Sequence, residues 1–123
     1  MLARVKGVDL TPFISEKSYK MNVEEQYESW VDGNYKEHRI YTASKVKGSF
    51  TVCLYGYLEM TPTKFKQTWQ SAVSDHVVTI SVHCMNTNEW KTIQAYYTFD
   101  GTFHREMING EYCDILTVNI KER

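Results

Sequence analysis

The feature that most constrains this chain is a series of short segments in which apolar and polar residues alternate. Residues 50–54, 77–85 and 116–120 follow this pattern, and turn-forming residues separate such segments. A period of two is typical of strands with one buried face. Asn109-Gly110, between two further strand-like segments, is a strong signal for a tight hairpin. Because connections this short require antiparallel pairing, the sequence predicts an antiparallel β domain.

One segment has the helical period instead. Thr61 can cap a helix whose first position is Pro62, and polar side chains fill the opposite face. The apolar residues that recur at helical spacing are Phe65, Trp69, Ala72 and Val73. The sequence therefore predicts one amphipathic α-helix over about 62–74.

The order of segments is three or four strands, this helix, and four more strands. A Lys6-Gly7 turn joins the first two strands, and no repeat or linker interrupts the chain. We expect a single domain over 1–123 of the mainly β (α+β) class. Its architecture would be an antiparallel β-sandwich or a partly open barrel, with the helix covering one opening or face.

A long polar hairpin is predicted from Lys17 to Lys47, around Asp32-Gly33-Asn34. It carries five aromatic residues, more than a lone hairpin can bury, and long isolated hairpins are marginal in water. The hairpin is therefore expected to dock, either on its own body or on a neighbouring subunit. The five residues are Tyr19, Tyr27, Trp30, Tyr35 and Tyr41.

Charge pairing distinguishes two registers for this hairpin. A two-residue turn at Gly33-Asn34 places Glu28 opposite Arg39, whereas a turn at Asp32-Gly33 places Glu28 opposite Glu37. Opposite charges facing each other are favoured by up to about 1 kcal/mol, and like charges are disfavoured. The sequence therefore favours the Gly33-Asn34 turn.

Composition argues against several classes of function, although a local basic patch could still exist. The 123 residues carry a net charge of -1, which gives no bulk attraction to nucleic acid or to an anionic membrane. Hydrophobic residues (42%) and charged residues (24%) are in the balance of a globular protein. The start of the sequence lacks the apolar segment of a signal peptide, and no apolar run is long enough to span a membrane. Cytoplasmic synthesis is therefore expected.

The cysteines and histidines do not form a recognisable metal site. Cys53, Cys84 and Cys113 show no C-x-x-C spacing, which also argues against a disulfide framework. His83 and Cys84 are neighbours in a predicted strand, so their side chains point to opposite faces. We predict no metal site and no cofactor.

Catalytic patterns are also missing. Cys53 or Cys113 with a distant histidine, or the Asp75-His76 pair, would be the candidates for nucleophilic chemistry. No nucleophile elbow surrounds them, and the six glycines form no phosphate-binding loop. The sequence predicts a protein that is not an enzyme, with no catalytic residues.

Basic and aromatic residues are interleaved on the hairpin, as in modules that bind single-stranded nucleic acid. These are Tyr35, Arg39, Tyr41, Lys45 and Lys47. Carboxylates on the same hairpin would oppose phosphate, namely Glu24, Glu25, Glu28 and Glu37. This balance favours a solvated strand pair with cross-strand ion pairs over a nucleic-acid site.

Several short segments in the first half of the chain resemble those of a known family of proteins. They are Val5-Lys6-Gly7-Val8-Asp9-Leu10-Thr11-Pro12-Phe13-Ile14, Ser18-Tyr19-Lys20, His38-Arg39 and Lys45-Val46-Lys47. With this pattern, residues 1–55 resemble the small structural proteins, from the tail or the head-tail junction, of tailed phages and prophages of Gram-positive bacteria.

The resemblance implies a virion protein, tail-associated, that is made in the bacterial cytoplasm and assembles into a ring or tube through strand and hairpin contacts. Its partners would be copies of itself and other virion proteins. The hairpin around Asp32-Gly33-Asn34 takes the place of the loop that bridges to the next subunit in tail-tube-like proteins. The predicted interface residues are Tyr27, Trp30, Tyr35, Arg39 and Tyr41. The alternative is a non-enzymatic β-barrel module that binds a ligand or nucleic acid.

Overall fold

The computed structural model describes residues 2–123, and at residues 26 and 41–43 it describes the backbone alone. Over this range the chain is mainly β, with antiparallel strands and one α-helix, as predicted. The elements are β1 (Ala3–Val5), β2 (Val8–Asp9), β3 (Lys20–Val31), β4 (Glu37–Tyr55), α1 (Pro62–Ser71), β5 (Val73–Ser74), β6 (Val77–Cys84), β7 (Glu89–Phe99), β8 (His104–Ile108) and β9 (Glu111–Glu122). Single turns of 3-10 helix lie at Thr11–Phe13 and Glu16–Ser18.

The strands form one curled antiparallel sheet in the order β2-β1-β6-β7-β9-β4-β3. β5 adds to β6, and β8 pairs with β9 beyond the end of β7. The curl brings β3 back towards β6, where Met85 N donates to Met21 O at 2.8 Å. No strand pairing closes this seam within residues 2–123. The fold is therefore sandwich-like, and the sheet is not closed into a barrel.

The concave side of the sheet holds the main core, which α1 covers. Phe65 and Trp69 are fully buried on the inner face of the helix. The Trp69 ring meets Tyr97 and Phe99 of β7 with centroids 5.3 and 5.7 Å apart. The predicted cap is confirmed, since the Thr61 side chain accepts a hydrogen bond from Lys64 N at 3.2 Å.

The helix ends three residues earlier than its spacing predicts. Val73 and Ser74 form β5 and pair with Val78 and Val77 in a tight hairpin. Its turn is Asp75-His76, with φ values of 53° and 64°. This left-handed turn joins Ser74 to Val77, and the hairpin that it forms ends the helix here. β5 is the strand that the predicted order lacks.

Two predicted turns are confirmed by backbone geometry. In Lys6-Gly7 and Asn109-Gly110 both central residues have positive φ, and the flanking residues are paired. This is the turn whose twist matches that of the adjoining strands. Both hairpins therefore have the register that their sequence indicates.

The register predicted for the long hairpin is wrong. Glu28 lies opposite Ile40, and Arg39 lies opposite Ser29. The loop has three residues between Asp32 and Lys36 rather than two, because Asp32 N donates to Lys36 O and Tyr35 takes φ = 60°. Backbone hydrogen bonding at the loop therefore outweighs the charge pair that favoured the other register.

Gly48 is required by a close approach between β4 and β3. A Cβ at this position would collide with the carbonyl oxygen of Lys20 and lie 2.8 Å from the Cα of Met21. Both obstacles are backbone atoms of the paired strand, so the contact cannot relax by a rotamer change.

We predict that Gly48→Ala lowers the free energy of unfolding by about 1–3 kcal/mol, the usual cost of overpacking. Gly56→Ala is the matched control, because a Cβ there meets nothing within 4 Å. Urea unfolding of both variants measures the difference. Equal midpoints for the two variants would contradict the close approach at Gly48.

Candidate interaction site

The main candidate site is the outer part of the long hairpin, residues 24–44, which we call the arm. β4 pairs with β9 only from Lys47 to Tyr55, and within the described chain residues 37–46 pair with β3 alone. β3 likewise has β4 as its only paired strand there. The arm is therefore a two-stranded ribbon that leaves the body of the sheet.

Two side chains form hydrogen bonds with the backbone of β3 and β4 where the arm leaves the body. Asn86 accepts a hydrogen bond from Val23 N at 2.9 Å and donates to Val23 O at 2.7 Å. On the other edge, Glu122 Oε1 accepts from Val46 N at 2.9 Å. These contacts anchor the base of the arm and mark where sheet pairing stops on each side.

One face of the arm continues the core side of the sheet. Tyr27, Ser29 and Val31 of β3 lie on this face, opposite positions 41, 39 and 37 of β4. The Arg39 guanidinium stacks over the Tyr27 ring, 4.5 Å from its centroid, and its Nε lies 3.1 Å from Glu37 Oε1. Arg39 therefore has partners within its own arm.

The other face, which we call the outer face of the arm, continues the solvent side of the sheet. Trp30 and His38 are directly opposite each other, and their rings stack with centroids 5.3 Å apart. Glu28 and Ile40 form the next pair towards the body. The Trp30 side chain remains 47% exposed in spite of the stacking. This face combines apolar surface with a carboxylate.

Asp32 organises the tip of the arm. Its Oδ1 accepts hydrogen bonds from Asn34 N at 2.8 Å and Lys36 N at 3.1 Å, and its Oδ2 lies 2.7 Å from His38 Nε2. The bond to His38 and the two backbone N–H groups lower the pKa of the Asp32 carboxyl. Tyr35 projects from this loop and is 92% exposed.

The predicted interface residues are divided among three places. Tyr27 and Arg39 share the core-side face, Trp30 lies on the outer face, and Tyr35 is at the tip. Position 41 pairs with Tyr27, but the Tyr41 side chain lies outside the described residues. The prediction missed Ile40 and His38, which only the observed register places beside Trp30.

The aromatic residues of the hairpin were expected to dock either on the body of the same chain or on a neighbouring subunit, and the structure differs between the base and the outer part of the hairpin. Tyr19, at the base, is buried in the core, and its hydroxyl donates to the His83 carbonyl at 2.6 Å. The described side chains of the arm belong to neither buried cluster. The body therefore covers Tyr19 and leaves Tyr27, Trp30 and Tyr35 exposed.

A second feature lies on the solvent face of the sheet, across β4, β9 and β7. It is a shallow groove of about 430 Å³. Lys121 of β9 lies between its cross-strand neighbours Lys47 of β4 and Tyr96 of β7. Two residues along, Asn119 lies in the same way between Ser49 and Thr98. We call it the lysine groove. The alternation of residues 47–49 and 119–121 places these side chains outward, but the pairing of three separate strands could not be read from the sequence.

The candidates for chemistry form no cysteine–histidine pair among the described side chains, although Cys53 and Cys113 pack in one small buried cluster. Burial raises the pKa of the Cys53, Cys84 and Cys113 thiols, which disfavours the reactive thiolate. Cys84 is buried and His83 points the other way, where it contacts Asn88 at 2.8 Å. Asp75-His76 is a hairpin turn. Within residues 2–123 as described, no three of His, Cys, Asp and Glu gather in a metal-binding group.

Comparison with known proteins gives no identification, since no protein-family model, curated protein or solved structure matches the chain. The described part of the chain contains no helix of sufficient length and apolarity to cross a membrane.

The hydrogen bonds at the tip predict a pH dependence. A carboxylate with a lowered folded-state pKa stabilises the fold above its unfolded pKa, and this contribution is lost as the pH falls through the folded pKa. We therefore expect the amide signals of Asn34 and Lys36 to titrate with a midpoint below 3.8, the ordinary pKa of Asp.

Two-dimensional NMR across an acid titration measures this midpoint, and Asp32→Asn is the control that removes the titrating group. A midpoint at or above 3.8, or the same titration in Asp32→Asn, would contradict the role of Asp32.

Proposed function

We propose that this protein is a non-enzymatic structural protein that assembles with copies of itself through the arm. We further propose that it serves as a tail-associated component of a phage or prophage virion, synthesised in the bacterial cytoplasm. Self-assembly is argued from the geometry of the arm, and the virion role from the resemblance of residues 1–55 to phage structural proteins.

The observation that carries the proposal is the exposed apolar surface of the arm. Trp30, Ile40 and Tyr35 are all exposed on a ribbon that pairs with no strand of the body in the described chain. A two-stranded hairpin is marginal alone in water, and a further packed layer stabilises it. Aromatic residues and arginine are also enriched at the centres of protein interfaces. A neighbouring subunit would supply the missing layer.

The edges of the arm support the same function. Residues 37–46 of β4 have one unpaired edge in the described chain, as do residues 24–31 of β3. Unpaired edges recruit strands from other chains unless they are blocked. A ring or tube made through strand and hairpin contacts would use such edges.

A ligand- or nucleic-acid-binding module is the second candidate. The observation in its favour is the lysine groove, where two ammonium groups and the exposed Tyr96 ring share one surface. Stacking on aromatic rings next to basic side chains is how single strands are held. The net charge of -1 and the carboxylates of the arm weigh against this candidate.

Self-assembly predicts a mass that rises with protein concentration. Trp30→Ala should weaken association by about thirtyfold, the effect of losing one interface hot spot. Sedimentation equilibrium measures the change, and electron microscopy of the wild-type protein should show rings or tubes.

Trp90→Ala is the matched control, because Trp90 is 43% exposed but lies on β7 of the body. Equal thermal stability of the two variants would show that both remain folded. A wild-type protein that stays monomeric at all concentrations would overturn the proposed function. If Trp30→Ala and Trp90→Ala weakened association equally, self-assembly would not depend on the arm.

A further inference from the structure

We propose that the outer face of the arm of one copy docks in the lysine groove of the next copy, in a head-to-tail contact. This inference rests on the proposed self-assembly and names the surface that receives the arm. It joins two features that the isolated chain leaves uncovered, one acidic and apolar, the other basic and open.

Positive charges lie next to each other in the lysine groove, so an anion bound there would be favourable. Lys47 and Lys121 are directly opposite each other on adjacent strands. Facing like charges destabilise a sheet. Neither ammonium lies within 4 Å of a carboxylate among the described side chains. Lys20 adds a third positive charge on the same face, opposite Ser49. A carboxylate from outside would relieve the repulsion.

The arm has the complementary charge. Between residues 24 and 44 the sequence has five carboxylates against one lysine and one arginine, although the whole chain is nearly neutral. Glu37 and Asp32 have partners inside the arm. Glu28 lies on the outer face next to Trp30, and no described basic group forms an ion pair with it. Glu24 lies on the same face but at the base of the arm, opposite Lys45. Glu28, farther out and next to Trp30, is therefore the carboxylate best placed to meet Lys47 and Lys121 of another copy.

Apolar surface on the two sides is also complementary. The outer face of the arm offers Trp30 and Ile40, with 47% and 54% of their surfaces exposed. The groove offers the Tyr96 ring, which is 51% exposed, beside its lysines. Docking would cover these side chains and exclude water around the charged pair, which strengthens the pair.

The geometry makes the contact intermolecular. The outer face of the arm and the lysine groove are parts of the same solvent face of the sheet. The pairing of β3 with β4 begins at Lys20 and Ser49 and continues to the tip, with a bulge at Gln26/Tyr27. A ribbon that continues the sheet in this way cannot turn back onto its own face. Because arm and groove are different surfaces, the contact is heterologous and propagates into a ring or an open tube.

The test is a complementation experiment with the full chain. The groove variant Lys47→Glu/Lys121→Glu keeps the arm, and the arm variant Trp30→Ala/Glu28→Lys keeps the groove. Each alone should associate at least about a hundredfold more weakly than the wild type, from about tenfold for each charge reversed and about thirtyfold for the loss of the Trp30 anchor. Mixed in equal amounts, they should form a 1:1 heterodimer that does not grow, because only one intact arm and one intact groove meet.

Lys64→Glu/Lys66→Glu, on the exposed face of α1, is the charge-matched control and should assemble like the wild type. If the groove variant assembles normally while the arm variant does not, the arm docks elsewhere. That result overturns this inference and leaves the proposed function intact. A monomeric wild type overturns both.

A nucleic-acid ligand is the other outcome to be distinguished. A labelled single-stranded oligonucleotide, titrated against the wild type at low and high salt, probes the same groove. Salt-sensitive binding that the groove variant loses, with a monomeric wild type, would assign the groove to nucleic acid and overturn the docking of the arm.

Discussion

The structure depends on a mismatch of strand lengths. β4 is 19 residues long, yet β9 covers only Lys47 to Tyr55, and the remainder extends into the arm with β3. Gly48 lets the two strands approach closely at this transition, and Asn86 and Glu122 satisfy the backbone on its two edges. The body thus supports the base of the arm, while the outer part exposes both edges and both faces.

Much of the fold could be predicted because local and global signals agree. The alternation of apolar and polar residues predicted the strands, Thr61-Pro62 predicted the start of the helix, and Asn109-Gly110 predicted the hairpin of β8 and β9. The failures occurred where backbone geometry competes with side-chain pattern. The Asp75-His76 turn ends the helix early, and the three-residue loop after Asp32 moves Glu28 away from Arg39.

The candidate site was only partly predictable for the same reason. The aromatic residues of the hairpin indicated an interaction site. Which of them share a face depends on the register of β3 and β4, and the three-residue loop after Asp32 determines that register. The lysine groove depends on residues far apart in sequence, since Lys47, Tyr96 and Lys121 meet only through the pairing of β4, β9 and β7. A net charge of -1 conceals this separation into an acidic arm and a basic groove.

In the proposed assembly the arm is covered by another copy of the chain. Hydrogen exchange at low and high protein concentration measures this coverage, because unpaired edge amides exchange quickly in a monomer and slowly once covered. We expect concentration-dependent protection of residues 24–44, together with the strands around Lys47 and Lys121. Exchange in the arm that is equally fast at every concentration, with no change in the groove, would contradict it.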